Sequence, residues 1–142
     1  MKISIGSDHA GFRLKSALVD FLRAERHEVL DRGTDSEVSV DYPDFAHLVA
    51  TDVEKGDARF GVLVCASGIG ISIAANKKPG IRAAVCMNED MAEFCRHHND
   101  ANVICFGQKY TTPDMAKKYL KIFLAAEFDG GRHERRIKKL EC

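Results

Sequence analysis

Short apolar runs rich in β-branched residues alternate along this chain with segments whose apolar residues recur at helical spacing, and that alternation is the strongest constraint on its fold. Lys2–Ile5 reads as a strand, and Phe12–Arg26 as a helix with Phe12, Leu18, Phe21 and Leu22 at helical spacing. A second strand over Glu28–Asp31 leads through a polar loop to a helix over Pro43–Lys55, whose Phe45, Leu48, Val49 and Val53 share one face and which Gly56 closes. Next come the apolar run Gly61–Cys65, a glycine-rich turn, a helix through Ala74, Ala75 and Asn76, a strand over Arg82–Cys86, a helix over Asn88–His97 and a strand over Val103–Phe106. Thr112, Pro113 and Asp114 open a helix that extends to about Phe128, since Thr caps, Pro fits a first turn and Asp suits the positive helix end. Gly130-Gly131 interrupts the pattern, and Arg132–Glu141 reads as a final basic helix that could reach over the domain or a neighbouring subunit. Nearly continuous apolar strands, each leading to a helix, predict a five-stranded parallel sheet covered on both faces, a Rossmann-like three-layer α/β/α sandwich.

A length of 142 residues suits one domain over 1–142. Lys plus Arg and Asp plus Glu each total 21, so there is no global field for a nucleic acid or an anionic membrane, and any anion site must be local. The opening MKISIGSDHAG lacks the apolar region of a secretory signal, and the uncharged stretch from Phe60 to Asn76 is short for a membrane span and broken by glycines. A cytoplasmic protein is expected. The five cysteines, at 65, 86, 95, 105 and 142, include no CxxC and no metal-ligand spacing, which predicts reduced thiols, mostly small buried hydrophobes.

In a parallel sheet of this kind ligands sit at the carboxyl ends of the strands, so the strand-following loops carry the candidate chemistry. In Cys65-Ala66-Ser67-Gly68-Ile69-Gly70 a strand-end cysteine precedes a turn of small residues whose backbone N–H groups can converge on an anion. Such surroundings suit a base or nucleophile, although a strand-end cysteine can equally be buried filler. The Gly68-Ile69-Gly70 run with Glu89 further on partly matches a dinucleotide fingerprint, but Ile73 occupies the third glycine position and the loop follows the third strand. Asp8-His9 after the first strand could supply acid–base chemistry, or Asp8 could simply cap the next helix. His97-His98-Asn99-Asp100 reads as a turn, without helical His spacing or a three-ligand set for a metal. Arg132 and Arg136, four apart, could face one phosphate or form a solvated basic face.

Taken together, Ser-Asp-His-Ala-Gly at 7–11, Asp-Tyr-Pro at 41–43, Cys-Ala-Ser-Gly-Ile-Gly-Ile-Ser-Ile-Ala-Ala-Asn-Lys at 65–77, His-Asn-Asp-Ala-Asn at 98–102 and Gly-Gly-Arg-His-x-x-Arg at 130–136 resemble the type B ribose-5-phosphate isomerases of the ribose/galactose isomerase family. The likeness runs in order over nearly the whole chain. It implies interconversion of ribose 5-phosphate and ribulose 5-phosphate through an enediolate, in the pentose phosphate pathway, with no metal and no cofactor. It further implies that Cys65 is the general base, that Ser67 orients the thiol, and that the amides from Ala66 through Gly68 to Gly70, with Asn99, hold the enediolate oxygen. By the same resemblance Asp8 moves protons between the oxygens, His98 opens the furanose ring, Tyr42 lines the sugar site, and His9, Arg132 and Arg136 clamp the phosphate. The family implies a homodimer, with a tetramer as the alternative, in which the His98-Asn99 loop comes from the partner subunit.

Three departures from the family pattern stand out. Ala66 replaces a frequent glycine, Lys109 stands where many relatives hold phosphate with an arginine, and Ile71 occupies the position of the glutamate base used in one branch. Relatives that isomerise allose 6-phosphate or galactose 6-phosphate provide the competing expectation, and a non-catalytic sugar-phosphate sensor is the alternative of another class.

Overall fold

The computed structural model describes residues 1–141. It contains β1 (Lys2–Ser7), α1 (Phe12–Ala24), β2 (Glu28–Asp31), α2 (Tyr42–Lys55), β3 (Phe60–Cys65), α3 (Ile69–Asn76), β4 (Ala83–Val85), α4 (Glu89–His97), β5 (Val103–Gly107), α5 (Pro113–Ala125) and α6 (Arg132–Lys138). The strands form one sheet in the order β2-β1-β3-β5-β4, and every pairing is parallel. The expected α/β sandwich is what forms, with helices on both faces as a buried parallel sheet requires.

The side chains on the two faces make separate cores. Ile3, Ile5, Val62, Val64, Ile104 and Phe106 point toward α1, α4 and α5, where Leu18, Leu22, Leu120 and Phe123 complete a fully buried layer. Leu63, Cys65, Val103 and Cys105 face the other way, onto Val49 of α2 and Ile71 and Ala75 of α3. Helix starts follow local chemistry: the Asn88 side chain accepts from Met91 N at 2.8 Å, and the Thr112 hydroxyl accepts from Met115 N at 3.3 Å.

Several ends differ from the sequence reading, and each has a contact that explains it. The first helix stops at Ala24 because the chain turns left-handed at Arg26 (φ 67°) and the His27 amide returns to Leu22 O. The fifth helix stops at Ala125, short of Phe128: Arg96 donates to Ala126 O at 3.4 Å, His97 Nδ1 lies 2.7 Å from Glu127 O, and the Asp129 amide donates to His97 O. The last helix ends at Lys138 and not Glu141, whose carboxylate accepts from Gly80 N at 2.8 Å. The expected reduced state holds for Cys65, Cys86, Cys95 and Cys105, whereas Cys142 lies outside the described residues.

One buried polar knot fastens the start of the sheet to α2. Asp52 accepts from the Ser4 hydroxyl at 2.7 Å and from Arg32 at 2.7 and 2.8 Å. Burial raises the Asp52 carboxyl, but the bonds from Arg32 and Ser4 outweigh it and hold the group below its ordinary value. A depressed folded value means that this contribution is complete above the ordinary carboxylate range and is lost as pH falls through the folded value. Asp52→Ala strands the buried Ser4 hydroxyl and is expected to cost roughly 2 kcal/mol at neutral pH, a difference that shrinks in acid. Urea unfolding at pH 7 and pH 3 checks it; an equal loss at both would show that the carboxylate charge is irrelevant.

Candidate active site

The strand order reverses between β1 and β3: the chain leaves β1 for β2 on one side and returns to β3 on the other. A crevice opens at the carboxyl ends of such a pair, and Asp8-His9 and the Cys65 turn both lie there. Ser7 is in register with Val64, and the Asp8 amide donates to Val64 O at 3.3 Å, which holds the two loops together.

Cys65 is buried at the end of β3, and its sulfur accepts from Gly68 N at 3.2 Å. The chain can curl back this tightly because Gly68 is left-handed (φ 78°), and a Cβ there would come within 2.9 Å of the Phe106 carbonyl carbon. The Ser67 hydroxyl accepts from Ile69 N at 3.1 Å. The thiol is therefore bonded by the Gly68 amide, and Ser67 shapes the turn, whereas the family resemblance had Ser67 orient the sulfur. With Gly68 and Ile69 taken up, the amides of Ala66, Ser67, Gly70 and Ile71 have no acceptor among the described residues. Four unspent N–H groups at the start of α3 are the kind of arrangement that can hold an anion, although the Gly68 amide, part of the run named from the sequence, is bonded to the Cys65 sulfur.

The walls of the crevice come from three other loops. Tyr42, at the start of α2, lies against Gly70 so closely that a Cβ there would fall 2.7 Å from the ring's Cζ. His9 Nδ1 lies 3.1 Å from Val40 N and 3.2 Å from Val40 O, so the backbone of Val40 fixes the ring in either tautomer. The amides of Gln108 and Lys109 donate to the carbonyls of Cys65 and Ala66 at 2.9 and 3.0 Å, so the loop after β5 carries exposed Lys109 to the rim of the turn. Asp8 is buried and its Oδ1 accepts from Gly11 N at 3.1 Å. Asp8 thus closes the turn ahead of α1 without bonding an amide of the helix itself, and its second carboxylate oxygen is left over.

The remaining candidates gather elsewhere. His98, Asn99, Arg136 and also His133 line a cleft of about 240 Å³ beside Ile137 and Leu140. His98 and Asn99 follow α4, which runs back toward the amino ends of the strands, and His133 and Arg136 are on α6; Asn99 also borders Ala83, where β4 begins. Val103 of β5 is in register with Gly61 and Gly107 with Cys65, so the two ends are about 13 Å apart along the strand. One chain therefore carries two separate groups of candidate residues at opposite ends of its strands.

Sequence reasoning passed over His133 and Asp129. The His133 ring stacks on that of His98 with centroids 4.4 Å apart and planes 12° from parallel. Burial and the neighbouring Arg132 and Arg136 charges push His133 below the ordinary histidine value. His98, Asp129 and His133 bring ligand atoms within 4.8 Å of one another, a three-residue set that spacing did not suggest because 31 residues separate the first two. Ligands sharing one tetrahedral zinc ion lie roughly 3.4 Å apart. Asp129 is also spent on His97 Nδ1 at 3.0 Å, and two arginines lower the adjacent imidazole, so the cluster suits an anion better than a cation.

The fold is that of an α/β enzyme, with the Cys65 turn and its unspent amides at a topological switch point. The family model described as Ribose/Galactose Isomerase matches residues 3–140, and the chain belongs to that family. It is 44% identical over 139 residues to the Ribose-5-phosphate isomerase B of Escherichia coli (strain K12), covering 98% of this chain and 93% of that one. The solved Ribose-5-Phosphate Isomerase B of Clostridium thermocellum is 51% identical, with a TM-score of 0.98 over 99% of this chain and 95% of its own. The Mycoplasma genitalium Ribose-5-phosphate Isomerase B with bound Ribulose-5-phosphate is 40% identical, with a TM-score of 0.93 over 98% and 93% of the two chains. No helix among the described residues is long and apolar enough to cross a membrane.

Proposed function

We propose that this chain interconverts ribose 5-phosphate and ribulose 5-phosphate as a homodimer, with each site assembled from the Cys65 crevice of one copy and the His98 cluster of the other. The observation that carries the reading is the Cys65 thiol standing over a turn with unspent amides at the β1/β3 switch point. Proton removal beside a carbonyl needs a base and a stabilised oxyanion within reach of each other, and this turn supplies both from adjacent residues.

Starting from the aldose, Cys65 takes the C2 proton, and the negative charge moves to the carbonyl oxygen against the turn amides and Asn99 of the second copy. Asp8 passes a proton between the two oxygens through its free carboxylate oxygen. The protonated Cys65 then delivers to C1 and the ketose forms. His98 of the second copy opens the furanose ring beforehand, and Tyr42 lines the sugar site. His9, Lys109 and the second copy's Arg132 and Arg136 bind the phosphate. No step draws on a metal or cofactor. Exposed Ile69 and Ile73, each 55% accessible and one turn apart beside the crevice on α3, support burial against a second copy.

The direct test is a coupled assay of ribose 5-phosphate isomerisation after chelation, with allose 6-phosphate as a competing substrate. Turnover of the five-carbon sugar is expected; turnover of neither sugar would refute the reading. Arg136→Ala should raise KM roughly thirtyfold while leaving kcat close to wild type, because phosphate is held equally in ground and transition states. Initial rates check this, and an unchanged KM would remove Arg136 from the clamp.

A further inference from the structure

Two thiols outside the proposed site lie in contact. Cys86 follows β4 and is fully buried, Cys95 is in α4 and is 8% exposed, and their sulfur atoms are 3.8 Å apart. Among the described residues they are the one pair of thiols in such contact. Both belong to the core beneath α1, α4 and α5, whereas Cys65 and Cys105 lie on the other face of the sheet. The sheet itself therefore separates this pair from the proposed catalytic thiol.

We propose that Cys86 and Cys95 form a modification site that a hydroperoxide converts to an intramolecular disulfide, independently of the isomerase reading. Closing the gap from 3.8 Å to a bonded distance of about 2.05 Å asks for side-chain rotation within one packed layer. The roles of the two sulfurs differ. The sulfur–sulfur contact, in which either thiol can donate, and the adjoining Arg96 charge lower the Cys95 thiol, while that same contact and burial push Cys86 up. Cys95 is also the member with access to solvent.

In the first step the Cys95 sulfur attacks one peroxide oxygen, the O–O bond breaks, and the departing oxygen leaves as water with the Cys95 proton, giving a sulfenic acid. In the second the Cys86 sulfur attacks that of Cys95, the S–O bond breaks, and the hydroxyl leaves as water with the Cys86 proton. Two thiols are oxidised by two electrons in total, and one hydrogen peroxide becomes two waters. The link ties the last turn of α4 to the edge of the sheet, and His98 and Asn99 follow directly on that helix.

The full chain, treated with hydrogen peroxide and then alkylated in denaturant, tests the proposal by peptide mapping without reduction. The expected product is a linked Cys86–Cys95 peptide that dithiothreitol releases. Relative to its reduced form, the oxidised chain should gain roughly 5 °C in Tm, and Cys86→Ser should abolish both the link and the gain. In Cys86→Ser, dimedone should trap the Cys95 sulfenic acid. Recovery of both residues as alkylated thiols under conditions that oxidise Cys65 would overturn the proposal, as would linkage of either to another cysteine. Cys86→Ala serves as the second variant if the serine form fails to fold, and an undiminished peroxide-induced gain in Tm in it would be equally fatal.

Discussion

Cys65→Ala is expected to lower kcat for ribose 5-phosphate roughly a thousandfold while changing KM less than about threefold. The asymmetry follows from where the sulfur sits. Its partner is the Gly68 amide, within the turn, and the phosphate donors His9 and Lys109 are on separate loops. Removing the thiol deletes the atom that moves the proton, but leaves the phosphate clamp and the Ala66, Ser67, Gly70 and Ile71 amides in place. Those amides bind charge that develops only in the transition state, so a residual rate above the uncatalysed one should survive. Steady-state kinetics and direct binding of ribose 5-phosphate separate the terms. A variant that binds normally and turns over normally would make Cys65 structural filler at a strand end; one that loses binding as strongly as turnover would place the residue in the clamp.

How much of this site was legible from the residues depends on the distance over which each feature is determined. The strands were legible because apolar runs such as Phe60–Cys65 are buried along their whole length, and the Cys65 turn was legible because consecutive small residues after a strand have few alternatives. The end of α5 was not. Periodicity continues toward Phe128, yet Arg96 and His97, thirty residues earlier, capture the carbonyls of Ala126 and Glu127 and unwind the last turn. The placing of the Cys65 turn and the His98 cluster at opposite ends of the strands was equally illegible from spacing, since hydrophobic period says nothing about the insertion of β5 between β3 and β4. The part proposed for a partner came from family resemblance, and the separation of Cys65 from the His98 cluster is what supports it physically. His133 went unassigned for a related cause: next to two arginines it reads as one more surface polar residue, whereas its ring is buried and stacked on His98.

That separation makes a sharper prediction than any single substitution. Cys65→Ala and His98→Ala should each be nearly inactive on the ring-closed substrate, yet an equal mixture allowed to exchange subunits should recover about a quarter of wild-type activity. In a mixed dimer one site combines both defects, and the other combines the intact Cys65 of one copy with the intact His98 of its partner. Half of the dimers are mixed, and each carries one working site of two, which sets the quarter. Were each site built within one chain, every site in the mixture would hold one defect and no activity would return. The measurement is the coupled assay before and after exchange, with mixed dimers isolated by differential tagging. Recovery confined to the mixed species establishes the shared site, whereas an assay as low as either parent would require Cys65 and His98 of the same copy to meet across the length of β5. The register of β5 on β3 argues against that, because Gly107 lies beside Cys65 while Val103, nearer the His98 loop, lies beside Gly61 at the other end.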